Sequence, residues 1–177
     1  MKKYFALVTL LLFTLTLFVS AQEKGQRPSP AATASCQFSD GKTIKTDYSS
    51  PRAKGRKIFG GLVGYGEVWR TGANEATTFV TDANVTVGGK DIPAGSYTLF
   101  TIPTADKWTL IINKKTAEWG IPYKYQADEL ARVDMKVSKT PAAVENFTIA
   151  YDPRGTSCVL SLSWENTQAS VEIKEKM

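Results

Sequence analysis

The chain has 177 residues, with no histidine and two cysteines. This inventory excludes Ser-His-Asp and Cys-His catalytic sites, histidine-ligated metal ions, and zinc or iron–sulfur centres built from cysteines, so no metal site is expected. The formal net charge of +5 at pH 7 is mild. Nucleic-acid binders concentrate Lys and Arg far more strongly, so no nucleic-acid partner is expected.

The N-terminus has the pattern of a secretory signal peptide. Lys2 and Lys3 precede an apolar run at residues 4–19, and Val19 and Ala21 stand at the −3 and −1 positions of a cleavage site. A retained anchor is the alternative, but a membrane span needs about 18–20 apolar residues. We therefore predict that residues 1–21 are removed after Ala21, leaving a secreted or periplasmic product with no membrane span.

Residues 22–35 (QEKGQRPSPAATAS) are polar and rich in Pro, Ala and Ser, which predicts a flexible linker. A single β-rich domain then occupies residues 36–177. Cys36 and Cys158 are an even pair, and in an oxidising compartment such a pair predicts a disulfide that closes a loop of about 120 residues. Two free buried thiols are the alternative.

From Cys36 onward the sequence favours β-strands. Residues 96–102 and 107–113 alternate between polar and apolar on either side of a Pro-containing turn, which predicts a hairpin, and residues 158–164 alternate again. Only residues 127–132 favour a short helix. About nine or ten strands, most with one apolar face, predict an all-β fold: an antiparallel two-sheet sandwich or jelly roll with at most one short helix.

The glycine-rich stretch at residues 59–67 (FGGLVGYGE) is a candidate phosphate loop. It lacks the GK[ST] ending of a nucleotide-binding loop, and its spacing fits no dinucleotide fingerprint. We interpret it as a loop in which glycines allow positive φ or close packing. No cofactor is expected.

The densest polar cluster is at residues 69–78 (WRTGANEATT), where Arg70, Asn74 and Glu75 stand close together. Loops at strand ends often carry binding residues. The Arg70 guanidinium suits a carboxylate or phosphate because it can hold two oxygens at once, and Glu75 can act as a base. A structural Arg70–Glu75 ion pair that pins a turn is the alternative.

The tryptophans divide by their surroundings. Trp108 and Trp164 lie in alternating segments and are predicted core residues. Trp119 and Tyr123 lie in a loop with Gly and Pro, and they are candidates for exposure and for stacking on a sugar ring. Packing in the interior is the alternative for the aromatic set as a whole.

Three motifs carry a family resemblance. The stretch YSSPRAKGRKIFGGLVGYGEVWRTGANEATTF, then IPAGSYTLFTIP and WTLIINK, resembles exported bacterial proteins catalogued as domain of unknown function 2911, over roughly residues 47–153. The resemblance implies an exported β-rich protein and brings no assigned activity, cofactor or catalytic residue. Its residue pattern draws attention to the upstream cations Arg52, Lys54 and Arg56, and to the cluster at residues 69–75.

We therefore predict an envelope binding module for a small polar ligand, a glycan or an envelope protein. The alternatives are a purely structural envelope protein and a glycosidase-like hydrolase that pairs Glu75 with Glu67 or Asp82, which would need two carboxyl groups about 5–10 Å apart. The candidate ligand-binding residues are Arg52, Lys54, Arg56, Arg70, Asn74, Glu75 and Trp119.

Overall fold

The computed structural model describes residues 27–176, and the predicted signal peptide lies outside them. The described chain is all-β, as predicted, with a single-turn 3-10 helix at Gln126–Asp128. The strands are β1 (Ala31–Gln37), β2 (Thr43–Ser49), β3 (Thr77–Thr81), β4 (Val85–Val87), β5 (Lys90–Ile92), β6 (Gly95–Pro103), β7 (Lys107–Asn113), β8 (Glu129–Pro153) and β9 (Ser157–Glu175).

The nine strands of residues 27–176 belong to one continuous antiparallel sheet, in the order β1-β2-β3-β6-β7-β8-β9-β4-β5. The long hairpin of β8 and β9 is irregular between Lys139 and Thr148, where its register shifts. Beyond that point β8 packs against the end of β2: the backbone N–H of Ile149 donates to the Tyr48 hydroxyl at 3.1 Å, and the Ser50 hydroxyl donates to the carbonyl of Phe147 at 2.7 Å. The sheet thus curves so that the second half of β8 packs against residues 48–50.

Alternating side chains build that core. In β9 the buried positions Cys158, Leu160, Leu162 and Trp164 alternate with more exposed neighbours, because successive side chains of a strand point to opposite faces. An aromatic cluster lies next to the candidate site, with ring centroids 4.7–6.3 Å apart. We call it the aromatic cluster; its members are Phe59, Trp69, Trp108, Phe147 and Trp164.

The predicted hairpin is confirmed, since β6 and β7 pair from Thr98 with Asn113 to Pro103 with Trp108. A second tight hairpin joins β4 to β5 through Gly88 and Gly89, whose φ angles are 52° and 84°. Two consecutive positive φ values are typical of the two-residue turns that match strand twist, and glycine adopts them at the lowest cost.

Two boundaries differ from the prediction. β1 begins at Ala31 and pairs with β2 along its whole length, so residues 31–35 belong to the sheet and not to a linker. The small side chains that suggested flexibility suit a strand whose outward positions are exposed. The short helix expected at residues 127–132 is a 3-10 turn that ends at Asp128, and Glu129 already starts β8.

A disulfide joins Cys36 to Cys158, as predicted, across a sequence separation of 122. It connects β1, the first strand, to β9, the last. Within residues 27–176, no helix is long and apolar enough to cross a membrane.

Candidate functional site

The loop at residues 69–76 is held rigidly against β6. Trp69 and Thr101 exchange two backbone hydrogen bonds of 2.8 and 2.9 Å, and the Thr77 hydroxyl donates to the carbonyl of Thr71 at 2.6 Å. The Trp69 indole N–H donates to the carbonyl of Gly72 at 2.9 Å. Because these bonds close the loop at both ends, the side chains on it are presented in a fixed geometry.

Arg70 projects from this loop and is half-buried. Its Nη1 donates to the carbonyl oxygens of Asn74 and Trp119, the latter at 3.3 Å, and its Cζ lies 5.1 Å from the centroid of the Trp119 ring, a cation–π contact. Burial lowers the pKa of the Arg70 guanidinium, but arginine stays charged at neutral pH.

One edge of this guanidinium has no partner. Across residues 27–176, Arg70 forms no ion pair, and its Nε and Nη2 groups donate to no protein acceptor. An arginine carries five N–H donors in a rigid fork, and the Nε–Nη2 edge can hold two oxygens of one anion. Arg70 is therefore held in place through Nη1. Its Nε–Nη2 edge, which suits an anion, has no acceptor among residues 27–176.

Trp119 lies on a second loop, residues 117–121, which packs against the first. The backbone N–H of Ala76 donates to the carbonyl of Glu118 at 3.0 Å. Gly120 has a φ of 92°, and a Cβ there would stand 2.9 Å from the Cβ of Ala76. Glycine at position 120 thus permits both the turn and the close approach, while the Trp119 side chain remains 56% exposed.

A hydrogen-bonded network supports the far end of this loop. Tyr123 packs on Phe100, with ring centroids 4.8 Å apart, and its hydroxyl donates to Glu129 at 2.7 Å. Arg132 donates to both oxygens of Glu129, at 2.7 and 2.9 Å, and holds the pKa of that carboxyl below its usual value. Burial, and then the Glu129 carboxylate, raise the pKa of the Tyr123 hydroxyl. The network fixes the loop without using Arg70.

A cleft of about 370 Å³ lies between the two loops and the aromatic cluster. This volume is within the range of small-molecule sites. Trp164 is buried beneath it, and exposed Leu62 stands at its rim. We call it the Arg70 cleft; it is lined by Pro51, Leu62, Val63, Gly64, Glu67, Val68, Trp69, Arg70, Gly72, Ala73, Asn74, Trp119, Ile121 and Trp164.

The glycine-rich stretch supplies one side of the cleft. Phe59 and Val63 are buried in the core and joined by a backbone bridge, while Leu62 between them is 51% exposed. The interpretation of this stretch as a structural loop fits the backbone, but its apolar side chains also line the cleft. Local patterns did not predict that Ile121 would line the same cleft as Leu62 and Val63, because Ile121 lies far from them in the chain.

Three candidate residues come together at the cleft and Glu75 does not. Arg70, Asn74 and Trp119 all line it. Glu75 instead pairs with Arg27, at 2.8 and 2.9 Å, on an exposed surface. A hydrogen bond from its own backbone N–H, and then Arg27, lower the pKa of the Glu75 carboxyl. The Arg70–Glu75 ion pair considered from the sequence is absent.

The upstream cations lie outside the Arg70 cleft, and the two arginines among them donate to backbone oxygens. Arg52 donates to the carbonyl of Ser50 at 2.9 Å, and Arg56 donates to the carbonyl of Ala53 at 3.0 Å. Lys54 has a φ of 50°, and its backbone N–H bonds to Glu145 at 2.9 Å. Two of the three side chains thus stabilise a turn, and none of the three lines the cleft.

The acids considered for hydrolysis do not converge. Glu67 lines the cleft, Glu75 pairs with Arg27, and Asp82 accepts hydrogen bonds from Thr43. Glu67 is the sole acid among the lining residues. In the described part of the chain, no group of three His, Cys, Asp or Glu side chains is placed to hold a metal ion.

The chain belongs to the family described as Protein of unknown function (DUF2911), whose profile matches residues 29–173. This range includes every strand from β1 to most of β9, together with both loops of the cleft. Neither the curated proteins nor the solved structures gave a match.

Proposed function

We propose that this protein is an exported binding module that holds a small ligand in the Arg70 cleft. The free Nε–Nη2 edge of Arg70, presented beside the exposed ring of Trp119, is the observation that carries the proposal. Export is supported by the signal-peptide pattern of residues 1–21 and by the disulfide, because stable disulfides belong to oxidising compartments.

The cleft has the features of a preformed binding site. Backbone hydrogen bonds fix both loops, so little ordering is needed when a ligand enters, and preorganisation of this kind increases affinity. Apolar side chains surround a small number of polar groups, a composition that is typical of small-molecule sites.

Binding is favoured over hydrolysis by the distribution of acids. Hydrolysis of a glycoside by the usual mechanism requires two carboxyl groups flanking the scissile bond. The lining of the cleft supplies Glu67 alone, and Glu75 is already paired with Arg27. A purely structural role would not account for the exposed Trp119 or for the free edge of Arg70.

Replacement of Arg70 by alanine tests the proposal, with 8-anilinonaphthalene-1-sulfonate, an aromatic anion, as the probe. The wild-type protein should bind one probe molecule with increased fluorescence, and Arg70→Ala should weaken binding about ten- to a hundredfold, since a hydrogen bond to a charged group contributes about 1.5–3 kcal/mol. Arg70→Lys should not restore the affinity, because an ammonium lacks the planar fork.

Arg154→Ala is the matched control, because it removes the same charge from an exposed turn where Arg154 pairs with Asp152. Its affinity for the probe should equal that of the wild type. Urea denaturation of each variant confirms that the fold is retained. Equal affinity in Arg70→Ala and the wild type would refute the proposal.

A further inference from the structure

We infer that the ligand of the Arg70 cleft is an amphipathic monocarboxylate: a single carboxylate on an apolar body, and not a glycan. The inference rests on the proposed function and adds the chemical class of the ligand. It follows from the shape of the free donor edge, from the composition of the lining and from its charge.

The free donor edge matches a planar anion. Nη1 of Arg70 is occupied by the carbonyl oxygens of Asn74 and Trp119, so Nε and Nη2 remain for an incoming group. Two parallel N–H donors fit the two oxygens of a carboxylate. The Arg70 Cζ also lies 5.1 Å from the centroid of the Trp119 ring, and this contact together with the two Nη1 bonds holds the guanidinium in place.

The lining of the cleft suits an apolar body. Leu62, Val63, Val68 and Ile121 contribute aliphatic surface, and Trp164 closes the interior side. A sugar needs hydrogen-bonding groups for its many hydroxyls, yet the side-chain amide of Asn74 already donates to Ser29 and Ser49, at 3.2 and 3.1 Å. The remaining polar side chains are too few to form hydrogen bonds with all the hydroxyls of a glycan. Burial of an apolar ligand against this lining, in contrast, stabilises the complex by about 25 cal/mol per Å² of apolar surface.

The charge of the lining favours a monoanion. Arg70 is the sole cation among the lining residues, and Glu67 is the sole acid. A phosphate carries close to two negative charges at neutral pH, and it would meet one cation together with a carboxylate of like sign. A carboxylate bound to Arg70 carries less negative charge than a phosphate, so Glu67 repels it less.

Four small probes separate the two requirements. Octanoate has the charge and the apolar body, octanamide has the body alone, glucuronate has the charge on a sugar, and glucose has neither. Their affinities for the purified protein are measured by calorimetry. Octanoate should bind at least tenfold more tightly than octanamide and glucose, because loss of a charged hydrogen-bonding partner costs about ten- to a hundredfold in affinity. It should also bind at least tenfold more tightly than glucuronate, which keeps the charge but has no apolar body to bury.

Variants of the lining check the same assignment independently. Glu67→Gln removes the like charge and should raise the affinity for octanoate severalfold without changing that for octanamide. Arg70→Gln should remove the preference for octanoate over octanamide. Glu67→Gln conserves size, whereas Arg70→Gln shortens the side chain and removes the Nη1 bonds to the carbonyls of Asn74 and Trp119. Neither substitution alters the backbone hydrogen bonds of the loops.

Failure of this inference is distinguishable from failure of the proposed function. If the fluorescent anion binds in an Arg70-dependent manner but glucuronate or glucose binds more tightly than octanoate, the ligand class is wrong and the binding module stands. Equal binding of octanoate and octanamide would overturn the role of the carboxylate. Absence of binding by all five compounds would overturn both proposals.

Discussion

Removal of the Cys36–Cys158 disulfide is expected to lower the free energy of unfolding by about 4–5 kcal/mol. The two cysteines are separated by 122 positions, so the bond restricts most of the described chain in its unfolded state. Longer loops lose more chain entropy on closure. Cys36 and Cys158 are both buried, which adds a smaller packing cost. Urea denaturation of the wild type and of a Cys36→Ala, Cys158→Ala double variant, followed by circular dichroism, measures the difference.

Denaturation of the wild type in a thiol reductant serves as the control, because the reductant removes the covalent bond without changing the sequence. The double variant and the reduced wild type should lose similar stability. If the free energies of unfolding of the oxidised and reduced wild type differ by less than about 1 kcal/mol, the disulfide is not a major source of stability and the prediction is wrong.

Replacement of Trp164 by alanine is expected to cost about 3–5 kcal/mol of stability. Trp164 is 1% exposed, its ring stacks on Trp69 with centroids 5.9 Å apart, and it also contacts Phe147 at 5.8 Å. Its indole N–H donates to the carbonyl of Glu145 at 3.2 Å. Alanine would leave a cavity in the aromatic cluster and an acceptor without its donor. Chemical denaturation measures the loss.

Two variants show whether the loss arises from the cavity. Trp164→Phe keeps an aromatic ring but removes the N–H, so it should cost less than the alanine variant, at about 1–3 kcal/mol for the unsatisfied carbonyl. Val80→Thr, at a position 39% exposed on β3, should change stability by no more than about 0.5 kcal/mol. A Trp164→Ala variant as stable as Val80→Thr would show that the aromatic cluster is not a principal part of the core.

Local patterns predicted the strands well because successive side chains of a strand point to opposite faces of the sheet. A strand with one buried face therefore appears in the sequence as alternating apolar and polar residues. The hairpin of β6 and β7 needs only a turn and two alternating segments, and both are visible in residues 96–113. The start of β1 was missed because Ala31, Ala32 and Ala34 are small and carry little apolar signal. Their place in the sheet depends on pairing with β2, which composition does not reveal.

The candidate site was predicted in part, and the reason is geometric. Arg70 and Asn74 share a single loop, so their proximity follows from the chain itself. Glu75 is adjacent in sequence to Asn74, yet it faces Arg27 on another surface, because Asn74 has a φ of 58° and turns the chain. The sequence does not reveal which non-glycine residue adopts a positive φ and turns the chain.

The apolar lining of the cleft was not predictable from local patterns. Leu62 and Ile121 come from separate loops and both line the cleft, and Gly120 allows the second loop to pack closely on Ala76. The Tyr123–Glu129–Arg132 network was also missed. The sequence indicated Tyr123 as a candidate for exposure, but in the structure it packs on Phe100 and donates to Glu129. Long-range packing decides both features.

Side-chain nuclear magnetic resonance of the tryptophans tests the central claim most directly. The chain has four tryptophans, and their indole N–H signals can be followed while 8-anilinonaphthalene-1-sulfonate is added. Ligand binding in the Arg70 cleft predicts a large shift of the Trp119 signal, accompanied by the Nε–H of Arg70, while the signal of Trp108, which is 1% exposed and does not line the cleft, stays in place. An unchanged Trp119 signal at saturating probe would contradict the assignment of this cleft as the binding site.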